Sequence, residues 1–406
     1  MPIKISPGVR MLNVGPSLKS GPMTMYALGT NLPKGQPGIL GVVVTPELNI
    51  AHEIARLPDG STRDILNSEG TLTPLARAVR EDPFNIFQAN RKAGGAGHSG
   101  ILWPFANRVN GAIVSSAGNE MVKVQWQGRE VLIPANWPPP HSREPSRLIH
   151  GFGYRMSNTN IKGEWDGGLN GYLEGKAVVP DDQWFSSLEV THRISLRNGV
   201  LQREVSVRNT GKAPAPFACG EHPDIVVPKG QRREEVLLGI PASLLIKIQE
   251  DGSMLPDFSG NPLVPVEQSH LAHLFKARNE EGLFPLGDTF IDTCFTGLTT
   301  GEDADGWATV RVLFPALKWG VSIETRPIAH PGMVNALQIY APNTGTALVA
   351  VEFQGNVPDP FNSLWDNFDL LKQGSRFITG SGLHIFPPNK RIIRTWAVTH
   401  RIVTRP

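Results

Sequence analysis

Residues 188–207 read LEVTHRISLRNGVLQREVSV. Leu188, Val190, Ile194 and Leu196 share one face of an extended chain, Asn198-Gly199 interrupts, and Leu201, Val205 and Val207 share the returning face. A period of two is the signature of a half-buried strand, and Asn-Gly supplies the positive φ angles that a two-residue hairpin turn requires. The stretch therefore reads as a β-hairpin, closed by Asn209-Thr210-Gly211. His192 sits in the apolar register of its strand and reads as a core or pocket-wall histidine rather than a catalyst.

The same alternation recurs in WATVRVLF (307–314), WGVSIET (319–325), ALQIYAP (336–342), ALVAVEF (347–353) and RIIRTWAVT (391–399). The 42 glycines and 35 prolines are spread between these runs instead of forming low-complexity tracts, as expected of many short strands joined by turns. Helical windows are few, the best being QSHLAHLFKARNEE (268–281) and TPLARAVRE (73–81). No fixed-period repeat or linker stands out, and 406 residues can bury one large core. The expectation is all-β: one large antiparallel β-sandwich domain over residues 1–406, with a few short helices.

With 39 basic and 37 acidic residues the net charge is +2, which gives no case for a nucleic-acid partner. Cys219 and Cys294 are too few for a disulfide framework and form no C-x-x-C pair, so a reducing compartment is expected. The opening MPIKISPGVRMLNVGPSLKSGPM holds no apolar run of signal-peptide length, and no later stretch approaches a membrane span. A soluble cytoplasmic protein, without a membrane partner, is the reading.

GGAGHSGILWPFAN (94–107) contains G-x-G-x-x-G at Gly95, Gly97 and Gly100. A dinucleotide loop must leave a strand and open a helix, so that the pyrophosphate meets the helix N-terminus. Here polar FQANRKAG precedes, and Pro104 follows four residues after the last glycine, which fits an extended or turning segment.

Polar residues in or beside strands are the chemical candidates. Glu352 shares a strand face with Leu348 and Ala350 while Val349, Val351 and Phe353 take the other, so neither face is plainly solvent. Glu352 is either desolvated among apolar neighbours, gaining the raised pKa of a useful general base, or merely at a strand end, where QGNVPDPFN begins. Pro223 holds His222 extended, aiming its ring in a defined direction. His150 precedes Gly151 and Gly153, which would let a backbone or ligand come close. Asn107-Arg108 offers a carboxamide and a fixed donor fork, against an ordinary surface salt bridge. His270 and His273 lie one helical turn apart without an evident third metal ligand, and Trp103 and Trp137 suit either stacking on a ligand or core packing.

In order along the chain, ILWPFANRVNGA, GREVLIPAN, RLIHGFGY, LQREVSVRNTGKAPAPFACGEHPD, GDTFIDTCFTGL, LQIYAP and VAVEFQGNVPDPFN resemble the aldose 1-epimerase, or galactose mutarotase-like, family. Motif order and approximate spacing agree over residues 97–362. The resemblance implies the family's large β-sandwich and a sugar anomerase. It puts Glu352 where a general base takes the anomeric hydroxyl proton and His222 where a general acid protonates the ring oxygen. Arg108, His150 and Asn107 fall among the groups that hold the substrate, and Asp292 where sugar hydroxyls are bound. Neither metal nor organic cofactor is implied; the partner is a small sugar, and the chain is expected as a monomer or homodimer.

Two departures put the substrate in question. His-Pro continues with Asp224-Ile225 where the family commonly has Tyr-Phe, and Asp292-Thr293 replaces an Asp-His. Asp224 either lies near His222, modifying the site, or points to solvent. Arg232-Arg233 could serve a sugar phosphate, although Glu234 and Glu235 suggest a solvated turn. A divergent carbohydrate-active enzyme and a non-catalytic sugar-binding protein are the alternatives.

Overall fold

The computed structural model describes residues 7–14, 23–45, 48–66, 99–116, 119–136, 148–153, 156–299, 307–325, 335–343, 347–368, 378–388 and 394–404. The hairpin forms as its sequence dictates: Leu188–Arg197 pairs with Val200–Asn209, Arg197 faces Val200 across the turn, and Asn198 and Gly199 adopt φ of 47° and 77°. Both angles match the turn whose twist suits a two-residue hairpin. The hairpin belongs to a nine-stranded sheet, where Val200–Asn209 pairs with Arg394–Thr404 and that strand with Trp319–Thr325.

A second sheet has twelve strands. Its middle runs Ser99–Leu102, Gly220–Val226, Leu348–Gln354, Ala336–Ala341, Ile291–Leu298, each antiparallel to the next. Val349, Val351 and Phe353 point to the other sheet and pack in one cluster with Leu337, Ile339, Ile194, Leu196, Val321 and Ile323. Each such buried side chain contributes about 1.5–3 kcal/mol through removal of apolar surface from water. The result is an all-β antiparallel sandwich.

Among the described residues, helix in the 268–281 window is shorter than its sequence suggests. Within 268–281 only Ala272–Lys276 is α-helical. Asn279 ends it, its Oδ1 accepting the N–H groups of Glu281 and Leu283 and so offering the chain a turn instead. The window 73–81, Trp137, Gly95 and Gly97 lie outside the described residues. Among the described residues no helix is long and apolar enough to cross a membrane.

The apolar interior is broken by a charged seam between the sheets. From the hairpin, Arg203 donates to Glu221 Oε1 at 2.9 Å, to His192 Nε2 at 3.0 Å and to the Leu48 carbonyl at 2.6 Å. His400 Nδ1 lies 3.0 Å from Glu53 Oε2 and its Nε2 lies 3.4 Å from Glu221 Oε2. All five side chains are buried, and buried charge survives when it is paired. Burial alone would lower the His400 pKa; Glu53 and Glu221 outweigh it and push it up to about 10. His192 is thus a core residue, as its register predicts.

Candidate active site

The face of the twelve-stranded sheet turned away from this core carries the polar residues. Gly220 pairs with Gln354 and Asp224 with Ala350, so His222 falls beside Glu352. Glu352 pairs with Gln338, and Asp292 with Tyr340. Because side chains alternate along a strand, His222 and Asp224 leave the same face of Gly220–Val226, while Glu221, immediately before His222, turns inward to the charged seam.

His222 Nε2 lies 3.0 Å from Glu352 Oε1, and its Nδ1 lies 3.1 Å from Asp224 Oδ1. The His222 side chain keeps 13% of its surface exposed against 3% for Glu352. Burial raises the Glu352 pKa to about 7, with His222 opposing the rise and the Asp224 and Asp292 carboxylates adding to it. For His222 burial alone would lower the pKa; Glu352 and then Asp224 outweigh it and push it up to about 9. Between about pH 7 and 9, an ionised carboxylate therefore sits against a protonated imidazole.

Amides orient both carboxylates. Asn107 Oδ1 accepts from the Arg108 backbone N–H at 2.9 Å, which leaves its Nδ2 as the donor to Gln338 Oε1 at 2.9 Å and Gln354 Oε1 at 3.3 Å. Each glutamine then turns its own N–H group outward: Gln354 donates to Glu352 Oε2 at 2.8 Å and Gln338 to Asp292 Oδ1 at 2.6 Å. Arg108 Nη2 completes the row at 3.4 Å from Asp292 Oδ2.

Asn107 and His150 lock each other. The His150 N–H donates to the Asn107 carbonyl at 2.9 Å, and the Asn107 N–H donates to His150 Nδ1 at 3.1 Å. With Nδ1 accepting, the neutral ring carries its proton on Nε2. Both residues have left-handed backbones, φ 61° and 59°, a conformation uncommon outside glycine that persists only where surroundings enforce it. Gly151 follows at φ 61°, and a Cβ there would stand 2.4 Å from the Trp103 carbonyl oxygen. The close approach that the HGFG glycines permit is thus to Trp103.

His150, His222 and Glu352 each bring one ligand-type atom within 4.8 Å of the others. To serve a cation through Nε2, His150 would have to move its proton to Nδ1 and give up the Asn107 hydrogen bond. The arrangement instead presents an N–H donor beside an acid–base pair.

Several solved structures share this architecture. A galactose mutarotase-like protein from Clostridium acetobutylicum superposes with a TM-score of 0.66 at 14% identity, covering 98% of each chain. The chain has the galactose mutarotase-like fold. A galactose 1-epimerase from Lactobacillus acidophilus gives 0.61 at 14% identity over 99% of this chain and 100% of its own. An aldose epimerase homologue from C. elegans gives 0.58 at 11% identity over 91% and 97%. No protein-family model and no curated protein matches the chain.

On this mutarotase-like scaffold Glu352, His222, Asp224, His150, Arg108, Asp292 and Asn107 come together. Asn107 differs from its expected place: it is buried, and its carboxamide is committed to Gln338, Gln354 and Arg108 instead of facing outward. Arg108–Asp292 is a half-buried ion pair of the site rather than a surface bridge.

Other candidates lie elsewhere. Arg233 is held by the carbonyls of Pro342, Thr289, Ala341 and Gly287, and Arg232 pairs with Glu235 at 2.9 Å on the surface. Trp103 is buried and stacks on Phe217 with centroids 6.2 Å apart. His270 and His273 are exposed, and His273 bonds Thr289 at 3.2 Å. Burial pushes both cysteine thiols up, out of nucleophilic range.

Sequence reading missed Gln338, Gln354, Asn356 and Asp359. Asn356 accepts the Ala106 N–H at 2.8 Å and donates to its carbonyl at 2.9 Å, tying the 104–110 segment to the end of the Glu352 strand. Asp359 Oδ1 accepts the Asn110 N–H at 2.9 Å. Gln354 did carry a signal, since it shares the period-two register of Glu352.

Proposed function

We propose that the protein interconverts the α and β anomers of an aldose by acid–base opening and reclosure of the sugar ring. The observation that carries this reading is the pair itself: a buried carboxylate of raised pKa 3.0 Å from an imidazole of raised pKa, both on the sheet face turned away from the core. A hemiacetal entering between them places its anomeric hydroxyl on Glu352 and its ring oxygen on His222. Glu352 takes the hydroxyl proton as the C1–O bond to the ring oxygen breaks and His222 Nε2 protonates that oxygen. The open-chain aldehyde turns about C1–C2, and reversal of the two transfers closes the other anomer. Each positioned proton transfer is worth roughly 10²–10⁴ in rate.

Arg108, Asp292 and the Nε2–H group of His150 supply donors and an acceptor for the remaining hydroxyls. An uncharged sugar fits better than a phosphorylated one: Arg108 already faces Asp292, the site holds three carboxylates, and Arg233 is spent on backbone carbonyls. A binding-only protein would not need the matched pair.

The optical rotation of freshly dissolved α-aldoses tests this directly. Acceleration is expected with free aldoses, most with unphosphorylated ones, and none with methyl glycosides, whose blocked anomeric oxygen has no proton to give. Inactivity toward every free aldose, neutral or phosphorylated, overturns the reading.

A further inference from the structure

We propose that Asp224 is a positioning residue for the acid: its carboxylate holds Nδ1–H of His222, so that the transferable proton sits on Nε2, facing Glu352 and the substrate. The proposal rests on the reading of His222 as the acid. It concerns the position where the sequence departs from the motif it otherwise resembles.

The geometry is built into one strand. His222 and Asp224 are two residues apart on Gly220–Val226 and leave the same face, with Asp224 Oδ1 3.1 Å from Nδ1 and Glu352 Oε1 3.0 Å from Nε2. The ring lies between two carboxylates, one at ion-pair distance from each nitrogen, and its position is limited further by His150, whose ring centroid is 5.4 Å away at 87°. An imidazole that keeps a proton on Nδ1 exchanges protons only through Nε2.

In the forward step the Nε2–H bond breaks, the proton bonds the ring oxygen, and the ring becomes neutral with Nδ1–H still against Asp224. On reclosure Nε2 takes the proton back. Without the carboxylate the neutral ring can place its proton on either nitrogen, and the imidazolium loses one of two anionic neighbours. The charged groups around His222 are Glu352 from the neighbouring strand, Asp224 from its own, and Asp292 with Arg108 further along the face; His150 adds a polar N–H. Only Asp224 reaches the Nδ1 edge at ion-pair distance among the described residues.

The test uses the full chain labelled with ¹⁵N-histidine, as wild type, Asp224→Asn and Asp224→Glu. His222 is followed by NMR through a pH titration, and kcat and KM for the best aldose are measured over the same range. A carboxylate neighbour is worth about 1–3 pH units to a histidine. Asp224→Asn is therefore expected to lower the His222 midpoint by about one unit or more. The alkaline limb of kcat should fall by the same amount with little change in KM, and Asp224→Glu should restore part of both. A midpoint and limb that stay where they are in a folded Asp224→Asn protein overturn the proposal, even if the wild type interconverts anomers. A moved midpoint in a protein that interconverts no aldose supports the Asp224–His222 coupling while overturning the reaction assigned to it.

Discussion

Glu352 and His222 show how one environment gives two residues opposite duties. Burial raises the carboxylate to about 7, and the same burial, outweighed by Glu352 and Asp224, leaves the imidazole at about 9. The proposed ring opening needs Glu352 ionised and His222 protonated. Activity should thus rise as pH climbs through about 7, where Glu352 loses its proton, and fall above about 9, where His222 loses its own. A bell-shaped kcat/KM profile with those limbs is expected from initial rates across pH 5–11. A flat profile, or one falling throughout from pH 6, would remove this pair from the chemistry. Glu352 was legible as a candidate because apolar residues on both faces of its strand left it no plain solvent face. Asp224 was legible as an anomaly, though its direction was not.

At the scale of the strand, alternation carried most of the information. The 188–207 hairpin could be read from Asn198-Gly199 and its flanking period of two, because that turn's backbone requirement is local. The row His222, Glu352, Gln338 could not, because a single strand's pattern does not say which strand lies beside it. Gln338 and Gln354 look like ordinary strand polars until pairing sets them against Asn107, whose Nδ2 donates to both Oε1 atoms and so decides how both amides point. Local chemistry also misled. Adjacent arginines at 232–233 read as a solvated turn with a phosphate role left open, but the Arg233 guanidinium is consumed by four backbone carbonyls that come from distant parts of the chain. The helix expected across 268–281 shortened to Ala272–Lys276 because the Asn279 side chain competes for the backbone.

Across the whole molecule the two sheets are joined by apolar packing and by the charged seam of Arg203, Glu221, His400 and Glu53. The composition hid this seam: its members are scattered over the chain, and each has an unremarkable local context. It matters to the site because Glu221, held by Arg203 and His400, immediately precedes His222 on the same strand. His400 has a folded pKa of about 10 against an ordinary value of 6.5, so its contribution to stability is full below 6.5 and disappears as pH rises toward 10. Urea midpoints should therefore fall between those values in the wild type and fall less in His400→Gln. That variant should itself cost about 3–5 kcal/mol near neutrality, because it leaves buried Glu53 without its counter-charge and Glu221 with Arg203 alone. Equal pH slopes in the two proteins would show that the seam does not couple protonation to folding.

The central claim is that Glu352 and His222 open and close a sugar ring, and the most direct measurement is anomer exchange of α-D-galactose and α-D-glucose by proton NMR. Wild type and Glu352→Gln are compared at pH 8, where both groups are in their working states. The account predicts acceleration by the wild type and a loss of about 10²–10⁴ in Glu352→Gln, with the variant unfolding no earlier than the wild type. A variant as active as the wild type would contradict it.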